Sequence, residues 1–175
     1  MAGMSARVSR STHAQSANRP ARREIRARLE LGDCPTVLIV IPAKPLADPL
    51  HALWASLIVS KVVPDLRIVL PGAGSAIDRL YRFAVANITE ARTRFTADRL
   101  SIEELVSAAD TVLRQAGDRE VENVAAQAVA SGLPLIEWRA EGVGAASSKE
   151  SPRAGVMETA RRVLRAIESA SAKSL

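Results

Sequence analysis

The glycine turn Leu70-Pro-Gly-Ala-Gly-Ser75 offers the most direct chemistry in the sequence, because it leaves an apolar run and enters a helical pattern. Gly72 and Gly74 would let backbone N–H groups approach a phosphate, and a helix N-terminus adds positive potential there. The third glycine of a dinucleotide fingerprint is absent, since Ile77 and Asp78 follow. The turn therefore reads equally well as a tight bend that needs glycine. Other reactive groups are scarce. There is one cysteine, Cys34, and two histidines, His13 and His51, which are far apart in the chain. No disulfide within the chain and no familiar His/Cys metal site can be built from these. No metal and no cofactor is expected. Ser/His/Asp catalysis would need one of the same histidines. His13 lies in a polar tail and His51 opens an apolar helix, so both read as structural or surface groups.

The 175 residues suit one domain, and 47% hydrophobic content is enough for a real core. At 3% aromatic residues, the chain has few rings for stacking bases or sugars. Trp54 and Trp138 read as packing residues. The net charge of +5 is carried by Arg7, Arg10, Arg19, Arg22 and Arg23, which all precede the first acid, Glu24. A neutral body behind a basic tail is poor support for a nucleic-acid partner, and none is expected. Residues 1–21 read as a disordered basic tail and 22–172 as a single domain. The Arg- and Ser-rich, acid-free start also has the composition of an organelle transit peptide, the lesser reading. A lone cysteine suits a reducing cytoplasm. No apolar run approaches the ~20 residues of a membrane span.

Alternation of short apolar runs and helical patterns supplies the scaffold. The spacing predicts a helix from Pro20 to Leu31 ended by Gly32, then an all-apolar strand from Thr36 to Ile41. Asp48 and Pro49 start a helix that runs to about Lys61. Leu66–Leu70 is the second strand. Ser75 and Asp78 form a capping-box pattern for the next helix. Arg94–Thr96 is a short third strand. Ser101 and Glu104 make another capping box, and Thr111–Leu113 is a brief fourth strand. Glu122–Ser131 is a helix stopped by Gly132, and Leu133–Trp138 is the fifth strand. Residues 140–151 form a Gly/Ala/Ser loop before a last helix. Repeated βαβ units imply a Rossmann-like, doubly wound parallel sheet of five to six strands. Ligands of such sheets lie outside the strands' carboxyl ends.

Four ordered stretches resemble one family. Arg26-Ala-Arg-Leu-Glu-Leu-Gly32 is similar to its lead-in helix, and Val63-Pro-Asp-Leu-Arg-Ile-Val-Leu-Pro-Gly-Ala-Gly74 to its VPDARLVIVGDG element. Glu103-Glu-Leu-Val-Ser-Ala-Ala-Asp110 is similar to its EL…ADV stretch. Asn123 to Ile136 resembles NVLLEAMAxGLPVI. The family is the GT-B glycosyltransferases of family 4, "group 1", and the likeness is to their C-terminal half, with strand order 3-2-1-4-5.

The resemblance implies a nucleotide-sugar as ligand and retaining sugar transfer as the activity. A separate GT-B N-terminal half, or another protein partner, would be needed to complete the catalytic cleft, so the chain alone is expected to be inactive. Two glutamates eight residues apart would touch ribose and sugar, and an Arg and a Lys after the first strand would meet the diphosphate. This sequence departs at each charged position. Gln127 stands in the second glutamate's place, with Asn123 four residues before it, and Arg119 falls on the first, flanked by Asp118 and Glu120. A guanidinium accepts no hydrogen bond, so a local shift to Glu120 or Asp118 is the expected substitute. After the first strand the arginine is missing and Lys44 is the remaining cation. Lys44, Gly72, Gly74, Glu120, Asn123 and Gln127 are thus the candidate ligand contacts. The alternative is a catalytically degenerate binding or scaffold module that keeps the fold.

Overall fold

A computed structural model describes residues 22–42, 45, 48–72, 75–87, 89–96, 100–117, 121–138 and 152–172. The expected basic tail over 1–21 lies outside these residues. The elements run α1 (22–28), β1 (Thr36–Val40), α2 (Leu50–Val59), β2 (Arg67–Pro71), α3 (Ser75–Ala86), β3 (Thr93–Thr96), α4 (Ile102–Ala108), β4 (Thr111–Gln115), α5 (Glu122–Ala130), β5 (Leu135–Trp138) and α6 (Pro152–Ala172). The five strands form one sheet in the order β3-β2-β1-β4-β5, and every pairing is parallel. The chain steps outward from β1 to β3, then returns to the other side of β1 for β4 and β5. Right-handed crossovers put helices of the two directions on opposite faces.

The core follows that rule. Val37, Ile39, Ile68, Leu70, Leu113 and Ile136 share one apolar cluster with α2, α3 and α6. Leu38, Val40, Val69 and Val112 alternate with them and face α1, α4 and α5. Both faces of β1 are therefore buried, which is why it reads as an unbroken apolar run. No helix among the described residues is long and apolar enough to cross a membrane.

Local signals held to different degrees. The Ser101/Glu104 capping box is present in both directions: Glu104 N–H donates to Ser101 Oγ at 3.2 Å, and Ser101 N–H to Glu104 Oε2 at 2.7 Å. Asp48 accepts the Leu50 N–H at 3.0 Å. Helix α5 ends at Gly132, whose φ of +69° suits glycine. The Ser75/Asp78 pattern is displaced, because α3 begins at Ser75 itself, with Asp78 in its first turn. The fourth strand runs two residues beyond Leu113, through Arg114 and Gln115. Those polar side chains hid its true end.

The first helix also ends earlier than Gly32. Glu30 takes φ +54°, its N–H reaches Ala27 O at 3.0 Å, and Leu31 N–H reaches Arg26 O at 2.9 Å. This is a Schellman stop with a glutamate where glycine is preferred. A left-handed non-glycine residue costs about 1 kcal/mol. Its carboxylate pairs with Arg94 at 3.0 Å but is largely exposed, so it offsets little. Glu30→Gly should raise stability by about 0.5–1 kcal/mol, read as a higher denaturant midpoint.

Helix α1 is held by arginines. Arg26 is buried, and its guanidinium donates to Gly32 O at 2.8 Å, to Ala108 O at 2.7 Å and to Cys34 O. Arg22 donates to Ser107 O at 2.7 Å, Ala109 O at 2.6 Å and Asp110 Oδ1 at 2.6 Å. Asp110 Oδ2 lies 3.5 Å from Arg26 Nη1 and accepts the Thr36 N–H at 2.8 Å. Asp110→Ala leaves a buried cation without its counter-ion and a strand amide without its acceptor. It should cost about 3 kcal/mol, a fall of roughly 10 °C in thermal midpoint. Asp110→Asn, which keeps an acceptor for Thr36, should cost less.

Candidate functional site

All five strands point their carboxyl ends to one edge of the sheet, and the chain reverses direction between β1 and β4. That reversal opens the crevice where ligands of such sheets bind. Lys44, Gly74 and Glu120, with Asp118 and Arg119, fall in the segments leaving these ends and lie outside the described residues. Gly72, Asn123 and Gln127 are described.

Gly72 has φ +108°. An added Cβ would meet nothing closer than Ile77 Cγ1 at 3.9 Å, so backbone conformation, and not crowding, demands glycine here. Its N–H donates to Thr96 O at 2.9 Å, closing the β2–β3 ladder. That amide is already spent and has no proton left for a phosphate. Asn123 is exposed in the first turn of α5. The residue before that helix, Val121, supplies no side-chain cap, so it leaves the first-turn amides to other partners.

Gln127 turns toward α4, where its Nε2 donates to Glu103 Oε1. Its own Oε1 is buried and has no partner among the described residues. Glu103 on the neighbouring helix thus sets a carboxylate beside Gln127. A glutamate at 127 would set two carboxylates against each other. Glu103 is held below the ordinary carboxylate range, first by its own backbone N–H and then by the Gln127 amide. A lowered carboxyl adds stability above its unfolded value and loses it as pH falls through the folded value. Gln127→Leu should move the Glu103 titration up toward its ordinary value, read by carboxyl NMR. The accompanying stability deficit should appear near neutral pH and vanish in acid.

The extension of β4 brings two polar groups to the carboxyl edge that its sequence did not advertise. Arg114, about seven-eighths buried, pairs through Nη2 with Glu137 on β5. Its Nε and Nη1 are buried and have no partner among the described residues. Gln115 is completely buried, and among the described residues neither end of its amide is bonded. Beside it, Trp138 is 1% exposed, its Nε1 likewise without a partner among the described residues. A polar pair closing an otherwise apolar strand, Leu113-Arg-Gln115, was the available signal. His51, at the start of α2, meets Thr159 Oγ1 at 3.0 Å on α6. No group of three or more metal-ligating side chains occurs among the described residues.

No protein-family model matches the sequence, and no curated protein matches it. Solved structures share the fold. WaaG, a glycosyltransferase involved in lipopolysaccharide biosynthesis, superposes with a TM-score of 0.58 at 15% identity, over 86% of this chain and 45% of its own. The pneumococcal O-GlcNAc transferase GtfA, solved with UDP and GlcNAc, gives 0.62 at 14% identity, over 77% and 29%. Anabaena HepE, solved with UDP and glucose, gives 0.58 at 18% identity, over 87% and 47%. The fold is that of part of a GT-B glycosyltransferase. The chain spans less than half the length of each of these proteins. Within that fold, β4 ends in polar groups with no partner among the described residues, and the Gln127 amide is engaged by Glu103.

Proposed function

We propose that this chain is the nucleotide-sugar-binding, C-terminal half of a retaining glycosyltransferase. The observation that carries the reading is the parallel order β3-β2-β1-β4-β5, shared with GT-B enzymes of which two were solved with UDP. A doubly wound sheet of this order binds ligand at its reversal point. There α5 contributes its N-terminal turn and β4 a guanidinium with two open N–H positions, both suited to a diphosphate. Lys44, Gly74 and Glu120 are proposed contacts on the adjoining segments, with Asn123 at the head of α5. Sugar transfer needs a cleft closed from both sides to exclude water. The isolated chain is therefore proposed to bind donor without transferring sugar until a second half or another protein partner joins it. A cytoplasmic location fits the lone thiol.

One observation favours a second reading, a binding or scaffold module that keeps the fold without catalysis. Gln127 is already engaged by Glu103, so it is a poor grip for a ribose.

Calorimetric titration of the full chain with UDP, GDP and ADP decides between them. Binding in the micromolar to millimolar range is expected for at least one nucleotide. No binding at millimolar concentration overturns the donor site and leaves the second reading.

A further inference from the structure

Helix α2 is apolar on nearly every side. Between Leu50 and Val59 its only polar side chains are His51 and Ser56. His51 meets Thr159 on α6, and buried Ser56 donates to Ala52 O at 3.0 Å. A helix apolar all round is normally enclosed, yet this one is covered unevenly. One flank lies on α6. The other borders an open groove of about 170 Å³, whose walls include Leu57 and Ile58 from α2, Lys61 just after it and Phe83 from α3. Leu50, Trp54 and Ile58 recur every fourth residue and make one stripe along the helix. Trp54 is 49% exposed there, and Val62, one turn beyond Ile58, is 65% exposed. The side of α2 that should be polar is therefore apolar.

The two ends of the stripe carry opposite charges. Lys61 has no ion pair among the described residues, and half-exposed Asp48 at the other end meets Arg79 at 3.0 Å. At the helical rise per residue, Lys61 and Asp48 stand about 10 Å to either side of Trp54. A two-fold axis across Trp54 lays a second α2 antiparallel on the first and sets Lys61 of each copy against Asp48 of the other. Helical side chains lean toward their own N-terminus. In the antiparallel copy that direction runs toward Leu57 and Ile58 of the first, so each Trp54 leans into the other's groove. A cavity of about 150 Å³ holds a benzene-sized ring, and the groove is of that scale. We propose that α2 is a self-association surface, on which two copies of this chain pair through antiparallel α2 helices with each Trp54 seated in the other's groove. The basic segment 1–21 is a poor occupant, because its arginines would face Lys61. Few side chains take part, so the dimer is weak and exchanges with monomer.

The test is sedimentation of the full chain from about 1 μM to about 1 mM, which should show reversible dimerisation with half of the chain paired at roughly 100 μM, as suits a small interface. Trp54 and Trp138 are the only tryptophans, and Trp138 is buried within the chain. Dilution should therefore shift the tryptophan emission to the red as Trp54 returns to water. Trp54→Ala and Lys61→Glu should each weaken dimerisation about tenfold or more. The first removes the anchor, and the second sets two carboxylates face to face. Both positions are exposed, so the thermal midpoint at low concentration should change little. A chain that stays monomeric to millimolar concentration overturns the inference, even if some other protein then binds the α2 face. A dimer that either variant leaves intact, or that forms with no change in emission, uses another surface and overturns it too. The dilution series on the unaltered chain decides the matter even if a variant does not fold.

Discussion

A buried guanidinium fixes where the helix layer meets the sheet. Arg26 sends its three nitrogens to carbonyls of two stretches, Gly32 and Cys34 before β1 and Ala108 at the end of α4. Asp110 supplies the counter-charge and accepts the first amide of β1. A desolvated cation is tolerable only when its donors are satisfied and a carboxylate is near, and both conditions are met. The ends of α1 and α4 and the starts of β1 and β4 are thereby tied to one planar group, whose fork geometry a lysine could not reproduce.

This tie lies at the amino edge of the sheet, and the candidate site lies at the carboxyl edge. The two edges are finished differently. At the amino edge, Arg22, Arg26, Thr36 and Asp110 satisfy one another. At the carboxyl edge, Arg114, Gln115 and Trp138 end their strands with polar atoms that have no partner among the described residues. A rigid frame at one end and unspent groups at the other is how an α/β sheet holds a ligand without distorting its core.

Helices α4 and α5 are joined by an amide and an anion. Gln127 puts no charge on α5, and Glu103 on α4 meets it as a carboxylate. Two anions there would repel, whereas an amide and an anion share a hydrogen bond. The Gly72 amide is likewise spent on Thr96, so that turn serves the sheet.

The sequence by itself determined the scaffold. Apolar runs at 36–40 and 67–71, the Ser101/Glu104 box and the Gly132 stop all act within a few residues, so local chemistry was enough to reveal them. Its motifs also pointed to the fold whose strand order the sheet adopts. Tertiary structure decided the rest, because burial and partnership join residues far apart in the chain. Glu30, not Gly32, turns the first helix, since the Schellman bonds close there. Arg114 and Gln115 read as the start of a loop, yet they are strand, because β1 and β5 run on beside them and bond their backbones. That Gln127 faces Glu103, and that Gln115 and Trp138 lie side by side without partners among the described residues, depends on packing between strands and helices. No local spacing encodes that.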